Sequence, residues 1–364
     1  MKLHARAEAW VRLQVSGIAP RPQADLLRAF GSPEGVVAAT PAQRRKVVGA
    51  AAAALDTGPD ADRLAAALAW LEVDGHELLA LDDADYPRCL LEIGDPPPVL
   101  YCLGRRELLR NPALAIVGSR NATPQGIADA RAFAQALSSA GLTIVSGLAL
   151  GIDAAAHRGG LAGPGSSMAV TGTGLDRVYP AENRALAHEL AANGLLISEF
   201  APGTPPLPYN FPRRNRVVSG LARGVLVIEA TLKSGSLISA RFAAEQGREV
   251  FALPGSIHSP FSKGCHRLLR DGAKLVETAD DVLVELGLTT GAQSRGAVAE
   301  TATDDELTAD ERAVIAAMGH TPTGVDAIAA RSGLAPESVA AALTALEIAG
   351  RAAPLPGGLW QPQA

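Results

Sequence analysis

Residues 209–246 read YNFPRRNRVVSGLARGVLVIEATLKSGSLISARFAAEQ and contain three features in a fixed order. A basic cluster comes first, and it consists of Arg213, Arg214 and Arg216. An aliphatic run over Gly224–Ala230 then predicts a buried strand. The small-residue loop Ser234-Gly235-Ser236 follows and opens a predicted helix over Leu237–Gln246. Arginines, a strand end and a helix start therefore fall within one βα unit.

This βα unit is a candidate anion site. The first N–H groups of a helix have no partner within the helix, and the helix dipole favours negative charge at that end. A phosphate is the natural ligand. The alternative is an ordinary βα turn capped by Ser234 or Ser236. The three arginines favour the anion site, because no apolar pattern explains them.

Composition limits the class of protein. The chain has 364 residues, 48% hydrophobic and 20% charged, which predicts two or three folded domains rather than general disorder. Cys89, Cys102 and Cys265 have no CxxC spacing and indicate reduced intracellular thiols. No apolar run approaches about 20 residues, and the N-terminus lacks a signal-peptide core. We therefore expect a cytoplasmic protein without a membrane partner.

Charge is distributed unevenly along the chain. The net charge is −5, which taken alone argues against a nucleic-acid partner. Residues 211–274, however, hold eleven Lys and Arg against four acids, whereas residues 276–312 hold ten acids against two arginines. Local charge decides which surface meets a polyanion. The basic segment is therefore the candidate nucleic-acid surface.

Strands and helices alternate through residues 113–288, within a predicted central domain over 76–288. The predicted strands are Leu114–Val117, Thr143–Ser146, Ser167–Thr171, Leu195–Glu199, Gly224–Ala230, Glu249–Leu253 and Lys274–Val276. Short aliphatic runs without alternation are typical of a parallel sheet covered on both faces. The pattern predicts an α/β fold with a Rossmann-like, doubly wound sheet, whose ligands bind beyond the carboxyl ends of the strands.

Two smaller modules flank this domain. The sequence of residues 1–75 predicts helices only. Two short helices are predicted on either side of a glycine turn, at Ala7–Ser16 and Pro22–Phe30, and this pattern suggests a SAM-like or helix-hairpin-helix domain. The alternative is a plain helical cap. Residues 289–305 predict a linker. Residues 306–364 predict a winged-helix-like domain, but its would-be recognition helix, Pro336–Gly350, carries no Lys or Arg. We therefore expect that module to dock protein or to regulate, rather than to read DNA.

Small polar segments follow several of the predicted strands. They are Gly118-Ser119-Arg120, Ser146-Gly147, Gly172-Thr173-Gly174, Glu199 and Ser234-Gly235-Ser236. Because the carboxyl ends of parallel strands meet at one edge, these segments predict a lined anion crevice, in which Arg120 could hold a phosphate with its fork of donors. No GxGxxG follows Gly118, and no acid stands at the ribose offset, so we expect no dinucleotide cofactor.

Other polar residues leave alternatives open. Asp153 and His157 lie four apart on one predicted helix; they pair or bind a metal, and pairing is favoured because no third ligand has fitting spacing. Two interpretations are open for Glu199 and Glu229: they act as general acids, or they pair with the arginines. Pairing with the arginines is the favoured prediction. Phe211 either stacks a base or anchors its loop. No Ser, His and Asp arrangement indicates a nucleophile, so we predict no catalytic residue and no metal site.

Six sequence blocks occur in order over roughly residues 80–285. They are AIVGSRNATPQG, IVSGLALGIDAAAH, TGTGLDRVYPAEN, LISEFAPG, FPRRNRVVSGLARGVLVIEATLKSGSLISARFA and VFALPGS. Together they closely resemble the DprA/Smf DNA-processing family. The flanking modules also resemble the helical N-terminal and winged C-terminal domains of that family.

The resemblance implies a function without catalysis or a cofactor. It implies sequence-independent binding of single-stranded DNA, protection of incoming DNA in natural transformation, loading of a RecA-type recombinase, and a homodimer. The predicted DNA-binding residues are Gly118, Ser119, Arg120, Phe211, Arg213, Arg214, Asn215, Arg216, Lys233, Ser234, Gly235 and Ser236. The arginines and Lys233 are expected to meet phosphates, and the amides of the two small-residue loops to cradle one more.

Two rival functions use the same crevice. Rossmann-like proteins of the lysine-decarboxylase-like group hydrolyse nucleotides with a PGGxGTxxE loop. Here Pro254-Gly255 is followed by Ser256-Ile257-His258, and the loop SGSLISA has no glutamate, so the group that this chemistry needs is missing. The other rival is a regulatory sensor that holds a small nucleotide.

Overall fold

The computed structural model describes residues 2–58, 60–288, 307–319 and 322–362. The predicted linker at 289–305 lies outside these residues. The central feature of the fold is a nine-stranded sheet. The strands are β1 (His76–Ala80), β2 (Val99–Gly104), β3 (Ala113–Val117), β4 (Thr143–Ser146), β5 (Ser167–Val170), β6 (Leu195–Ser198), β7 (Gly224–Val227), β8 (Glu249–Ala252) and β9 (Lys274–Leu275).

The strand order is β1-β2-β6-β5-β4-β3-β7-β8-β9. The seven strands from β6 to β9 in this order pair in parallel, whereas β1 and β2 are antiparallel. The chain winds outward from β3 in one direction and then returns to its other side with β7. The loops after β3 and β7 therefore separate at this reversal, which is where a doubly wound sheet opens a ligand crevice.

Helices cover both faces of the sheet. The central helices are α7 (Arg88–Leu91), α8 (Pro124–Ser139), α9 (Ile152–Leu161), α10 (Arg184–Asn193), α11 (Asn210–Gly220), α12 (Ser236–Glu245), α13 (Lys263–Arg270) and α14 (Ala279–Glu285). All residues of β3 to β7 are buried, because the sheet is covered from both sides. The predicted Rossmann-like domain is confirmed, and strand ends differ from the prediction by at most three residues.

The sequence analysis did not predict β1 or the antiparallel pairing of β1 and β2 at this side of the sheet. The N-terminal helices are α1 (Lys2–Val15), α2 (Pro20–Phe30), α3 (Pro33–Ala38), α4 (Pro41–Val48), α5 (Ala53–Asp56) and α6 (Ala61–Leu71). Trp10 and Leu13 share one buried cluster with Val99 and Tyr101 of β2. The helical layer therefore packs directly on the antiparallel edge, and that contact gives the short segment HELLA of β1 its place in the sheet.

Three helices and a three-stranded sheet form the C-terminal module. Its elements are α15 (Ala309–Met318), α16 (Val325–Ser332), α17 (Pro336–Ile348), β10 (Thr323–Gly324), β11 (Ala352–Leu355) and β12 (Leu359–Pro362). The two strands β11 and β12 form a wing. The winged-helix pattern is confirmed. Within the ranges described above, no helix has both the length and the apolar character needed to cross a bilayer.

Candidate nucleic-acid interface

A cleft of about 670 Å³ opens beyond the carboxyl ends of β3, β4 and β7. Nine of the twelve predicted DNA-binding residues line it: Gly118, Ser119, Arg120, Phe211, Arg214, Asn215, Ser234, Gly235 and Ser236. Arg213, Arg216 and Lys233 lie outside its lining. The strand reversal at β3 and β7 thus brings together residues that are more than 100 positions apart in the chain.

The loop after β3 forms one wall of the cleft. Gly118 lies against Ile152 and the backbone of Glu229 so closely that a Cβ would stand 2.5 Å from the Ile152 side chain. The buried hydroxyl of Ser119 accepts a hydrogen bond from the Asn121 amide at 3.2 Å and so fixes the turn. Arg120 is exposed, and its guanidinium lies 5.9 Å from the centre of the Phe211 ring. The loop therefore presents a cation above an aromatic face.

The segment FPRRNR was predicted as a basic loop, but it forms the first turns of α11. Pro212 is compatible with this position, because a proline in the first helical turn removes no helical hydrogen bond. The side-chain amide of Asn210 donates to the carbonyl of Gly172 at 3.1 Å and ties the start of the helix to the loop after β5. The helix thereby points Phe211 and Arg214 into the cleft.

Phe211 both packs and lines the cleft. A Cβ on Gly172 would stand 2.8 Å from the ring, so this glycine leaves the space that the ring fills. On the cleft side, the Phe211 ring centre lies 5.4 Å from that of Tyr179, which is 46% exposed. Sequence reasoning did not single out Tyr179. The available signal was an aromatic residue directly before Pro180 in the loop that follows β5.

Arg214 forms the floor of the cleft and is only 5% exposed. Its Nη1 donates to the carbonyl of Gly147 at 2.6 Å and also to the carbonyl of Val170. The Gly147 carbonyl begins the loop after β4, and the Val170 carbonyl ends β5. Burial lowers the pKa of Arg214 to about 10, the nearby Asp153 opposes that shift, and Arg120 adds to it. The guanidinium therefore remains charged at neutral pH.

Asp153 and His157 do not pair with each other; each holds the backbone of the loop after β4. The Asp153 carboxylate accepts from the amides of Gly147 at 3.1 Å and Ala149 at 3.3 Å. His157 Nε2 accepts from the amide of Leu148 at 3.3 Å, and Leu148 has a left-handed φ of 59°. The favoured prediction of a structural role fits this geometry, but the predicted partner was wrong. Among the residues that the structure describes, no three His, Cys, Asp or Glu side chains form a metal-binding group.

His157 is fully buried and neutral. Since Nε2 accepts a hydrogen bond from the amide of Leu148, Nδ1 carries the ring hydrogen and donates to the Ser167 hydroxyl at 2.7 Å. That hydroxyl donates in turn to the carbonyl of Ile144 at 2.8 Å. Burial, together with the smaller effect of the positive charges of Arg214 and Arg158, lowers the pKa of His157 to about 3. The loop after β4 therefore depends on an uncharged imidazole.

Arg213 and Arg216 lie on the side of α11 that faces away from the cleft. Arg216 is 6% exposed, and its Nη2 donates to the Glu199 carboxylate at 2.6 Å. Arg213 reaches the same carboxylate at 3.1 Å and remains half exposed. This agrees with the predicted pairing of Glu199. We propose that Arg216 holds α11 in place rather than contacting a phosphate.

Among the described residues Glu229 pairs with no arginine, contrary to the favoured prediction. Its carboxylate accepts from the Thr123 hydroxyl at 2.6 Å and from the Thr123 amide at 2.9 Å. Thr123 in turn caps the N-terminus of α8, where its hydroxyl accepts from the Gly126 amide at 3.0 Å. Glu229 therefore stabilises a helix start. Burial raises its pKa.

The loop before α12 forms the other wall of the cleft. The helix begins at Ser236, and the hydroxyls of Ser234 and Ser236 lie 2.7 Å apart. The predicted helix start beside the cleft is therefore present, with Gly235 exposed between the two serines. Lys233 is exposed next to this loop, and Asn215 on α11 faces it with a contact of 3.5 Å to the Gly235 carbonyl.

Comparison with known proteins identifies the family. The family model described as DNA recombination-mediator protein A matches residues 77–287. The chain belongs to the DprA/Smf family. A second model, described as the DprA winged helix domain, matches residues 298–358. Protein Smf of Escherichia coli is 44% identical over 296 residues, which cover 80% of this chain and 79% of that protein.

Two solved DprA structures share the fold. DNA processing protein A from Streptococcus pneumoniae matches with a TM-score of 0.67 and 38% identity, over 75% of this chain and 95% of that one. DNA processing protein A from Helicobacter pylori matches with a TM-score of 0.53 and 33% identity, over 58% and 95% of the two chains. The Helicobacter pylori structure was reported for its unique single-stranded DNA binding mode.

The neutral imidazole of His157 makes the stability of the fold depend on pH. Its pKa in the fold, about 3, lies below the ordinary value of 6.5, so the unfolded chain binds the proton first as pH falls. The contribution of the neutral His157 to the free energy of unfolding is present above pH 6.5 and is lost as the pH falls toward 3. Between pH 7 and pH 5 this single group costs about 2 kcal/mol. Urea unfolding of the wild type and His157→Gln at both pH values measures the difference: the variant should lose about 2 kcal/mol less over this interval. Equal losses in both proteins would show that His157 does not titrate as described.

Proposed function

We propose that the cleft binds single-stranded DNA without sequence preference, through its phosphate backbone and the faces of its bases. The observation that supports this most strongly is the buried cation of Arg214 at the cleft floor, in the same cleft as the exposed guanidinium of Arg120. The start of α12 adds helix-end N–H groups on the opposite wall. Three sources of positive potential therefore surround one cleft.

The aromatic pair favours a single strand over a duplex. The rings of Phe211 and Tyr179 line the cleft 5.4 Å apart at an angle of 38°. Base faces are available for stacking on such rings in a single strand, whereas a duplex stacks its bases on one another. Stacking depends little on base identity, since every base has a π face. Backbone contacts from Arg120 and Lys233 carry no sequence information either.

The relatives extend this proposal to a cellular role. The related Helicobacter pylori protein has a described single-stranded DNA binding mode, and the matching family model is named as a recombination mediator. We propose that this chain likewise processes incoming single strands in the cytoplasm during natural transformation, protects them, and loads a RecA-type recombinase onto them. The surface that contacts the recombinase would then lie outside the cleft.

A homodimer through the central domain is part of the proposal. The strand β9 is an edge of the sheet, and its Leu275 is 53% exposed. An unpaired edge with an exposed apolar residue is suited to pairing with another chain. A second copy of the same domain would cover this edge.

We propose binding without catalysis. Among the residues that the structure describes, the carboxylate that lines the cleft and two that lie behind it are engaged: Asp153 by two backbone amides, Glu229 by Thr123, and Glu199 by Arg213 and Arg216. None is poised to activate a water. The geometry therefore favours the DNA-binding proposal over nucleotide hydrolysis.

Replacement of Arg120 by Ala should weaken binding of all single-stranded sequences alike. The loss of one phosphate contact should also lower the slope of log affinity against log salt by about 0.7. Fluorescence anisotropy of labelled homopolymers and mixed strands over a salt series measures both effects. Arg28→Ala is the matched control, because Arg28 is an exposed arginine on α2, away from the cleft. An unchanged slope in Arg120→Ala would contradict the site assignment.

Tyr179 should contribute by stacking rather than by its hydroxyl. We expect Tyr179→Leu to weaken single-strand affinity by about 1–3 kcal/mol, and Tyr179→Phe to leave it nearly unchanged. The salt slope should stay constant in both variants, since no phosphate contact is removed. Equal affinities of the Leu and Phe variants would exclude base stacking at this position.

A further inference from the structure

A second basic groove, of about 420 Å³, lies at the ends of the parallel strands that are opposite to the cleft. Residues 111–113 lead into β3 and residues 221–223 lead into β7, and both segments line the groove. The groove therefore lies at the amino ends of the strands, whereas the cleft lies beyond their carboxyl ends. We call it the amino-edge groove; its charged lining residues are Asp85, Arg88, Arg110, Arg223 and Arg248, and Cys89 also lines it.

Two arginines of this groove form no ion pair with the described residues. Four arginines line it against one acid, Asp85, which pairs with Arg110 at 2.6 Å and with Arg106 outside the lining at 3.3 Å. Arg248 pairs with Glu92 at 2.8 Å. Arg88 and Arg223 are exposed, and neither forms an ion pair within the part of the chain that the structure describes. The groove thus keeps two unneutralised guanidinium groups in a chain with a net charge of −5.

The walls of the groove are held rigidly. The amide of Arg223 donates to the carbonyl of Ala113 at 2.8 Å, and its carbonyl accepts from the amide of Glu249 at 3.2 Å. Arg248 donates to the carbonyl of Cys89 at 3.0 Å and so fastens α7 to the start of β8. An anion that enters the groove would meet arginines that are carried on a fixed backbone.

We propose that the amino-edge groove binds the phosphate backbone of a second stretch of single-stranded DNA, through Arg88 and Arg223. A strand of five residues spans about 17 Å, so the two sites lie on opposite sides of one domain. A short strand would fill the cleft alone, and a long strand would continue around the domain into the groove. The proposal rests on single-strand binding in the cleft and assigns it a second contact surface.

The dependence of binding on strand length tests this proposal. Oligothymidylates of about 8 and about 40 nucleotides would be titrated over a salt series against the wild type and Arg88→Ala/Arg223→Ala. For the long strand, the double variant should lower the salt slope by about 1.4, because two phosphate contacts are lost. For the short strand, the slope should not change. The matched control is Arg28→Ala/Arg131→Ala, which removes two exposed arginines that line neither site.

Cys89 supplies a second readout. It is the half-buried thiol of the groove, whereas Cys102 and Cys265 are at most 1% exposed. The long strand should slow alkylation of Cys89 in the wild type, the short strand should not, and the Arg88→Ala/Arg223→Ala variant should lose the protection. The variant Arg120→Ala should retain protection at strand concentrations that saturate it.

Each outcome separates the two proposals. If no strand of either length binds the wild type, the cleft proposal fails and this one fails with it. If both strands bind but the double variant keeps the wild-type slope for the long strand, only the second site is contradicted. Protection of Cys89 by tripolyphosphate but not by the long strand would identify a small-anion site and would also overturn the proposal.

Discussion

The buried guanidinium of Arg214 is the interaction on which the cleft depends. Its Nη1 joins the carbonyls of Gly147 and Val170, so one side chain of α11 fixes the ends of two neighbouring strands. Removing a charge from water is costly unless it is hydrogen-bonded, and the two carbonyls and nearby Asp153 supply that compensation. Because Asp153 holds two amides of the same loop, charge balance and loop shape are maintained together.

The opposite side of α11 is held just as firmly. Arg216 and Arg213 both reach the carboxylate of Glu199, which follows β6. Gln14 of α1 donates to the carbonyl of Glu199 at 2.5 Å and accepts from the hydroxyl of Tyr101 at 2.7 Å. The N-terminal helices therefore support the helix that carries Phe211 and Arg214. A rigid helix between two anchored faces explains how a sheet edge can present cations and rings at fixed positions.

Sequence reasoning predicted the central fold well, because continuous aliphatic strands and glycine-rich strand ends are local signals. It also grouped most of the cleft residues, since parallel strands bring their carboxyl ends to one edge. It failed where packing between distant parts of the chain determines the direction of a side chain or its hydrogen-bond partner. Three arginines within four positions look alike in sequence, yet helical rotation sends Arg214 into the cleft and Arg216 toward Glu199. Asp153 and His157 share a helix, but only the folded loop after β4 shows that each holds backbone amides rather than its neighbour. The HELLA strand becomes recognisable only when the N-terminal helices cover it.

The most direct test of the central claim is competition between single-stranded and duplex DNA for the wild-type protein. A labelled single strand would be bound at low to moderate salt, and unlabelled single strand and duplex of equal length would be added at equal nucleotide concentration. The account predicts salt-sensitive binding that the single strand competes away and the duplex displaces poorly, because the rings in the cleft need exposed base faces. Equal competition by duplex, or no binding even at low salt, would contradict it.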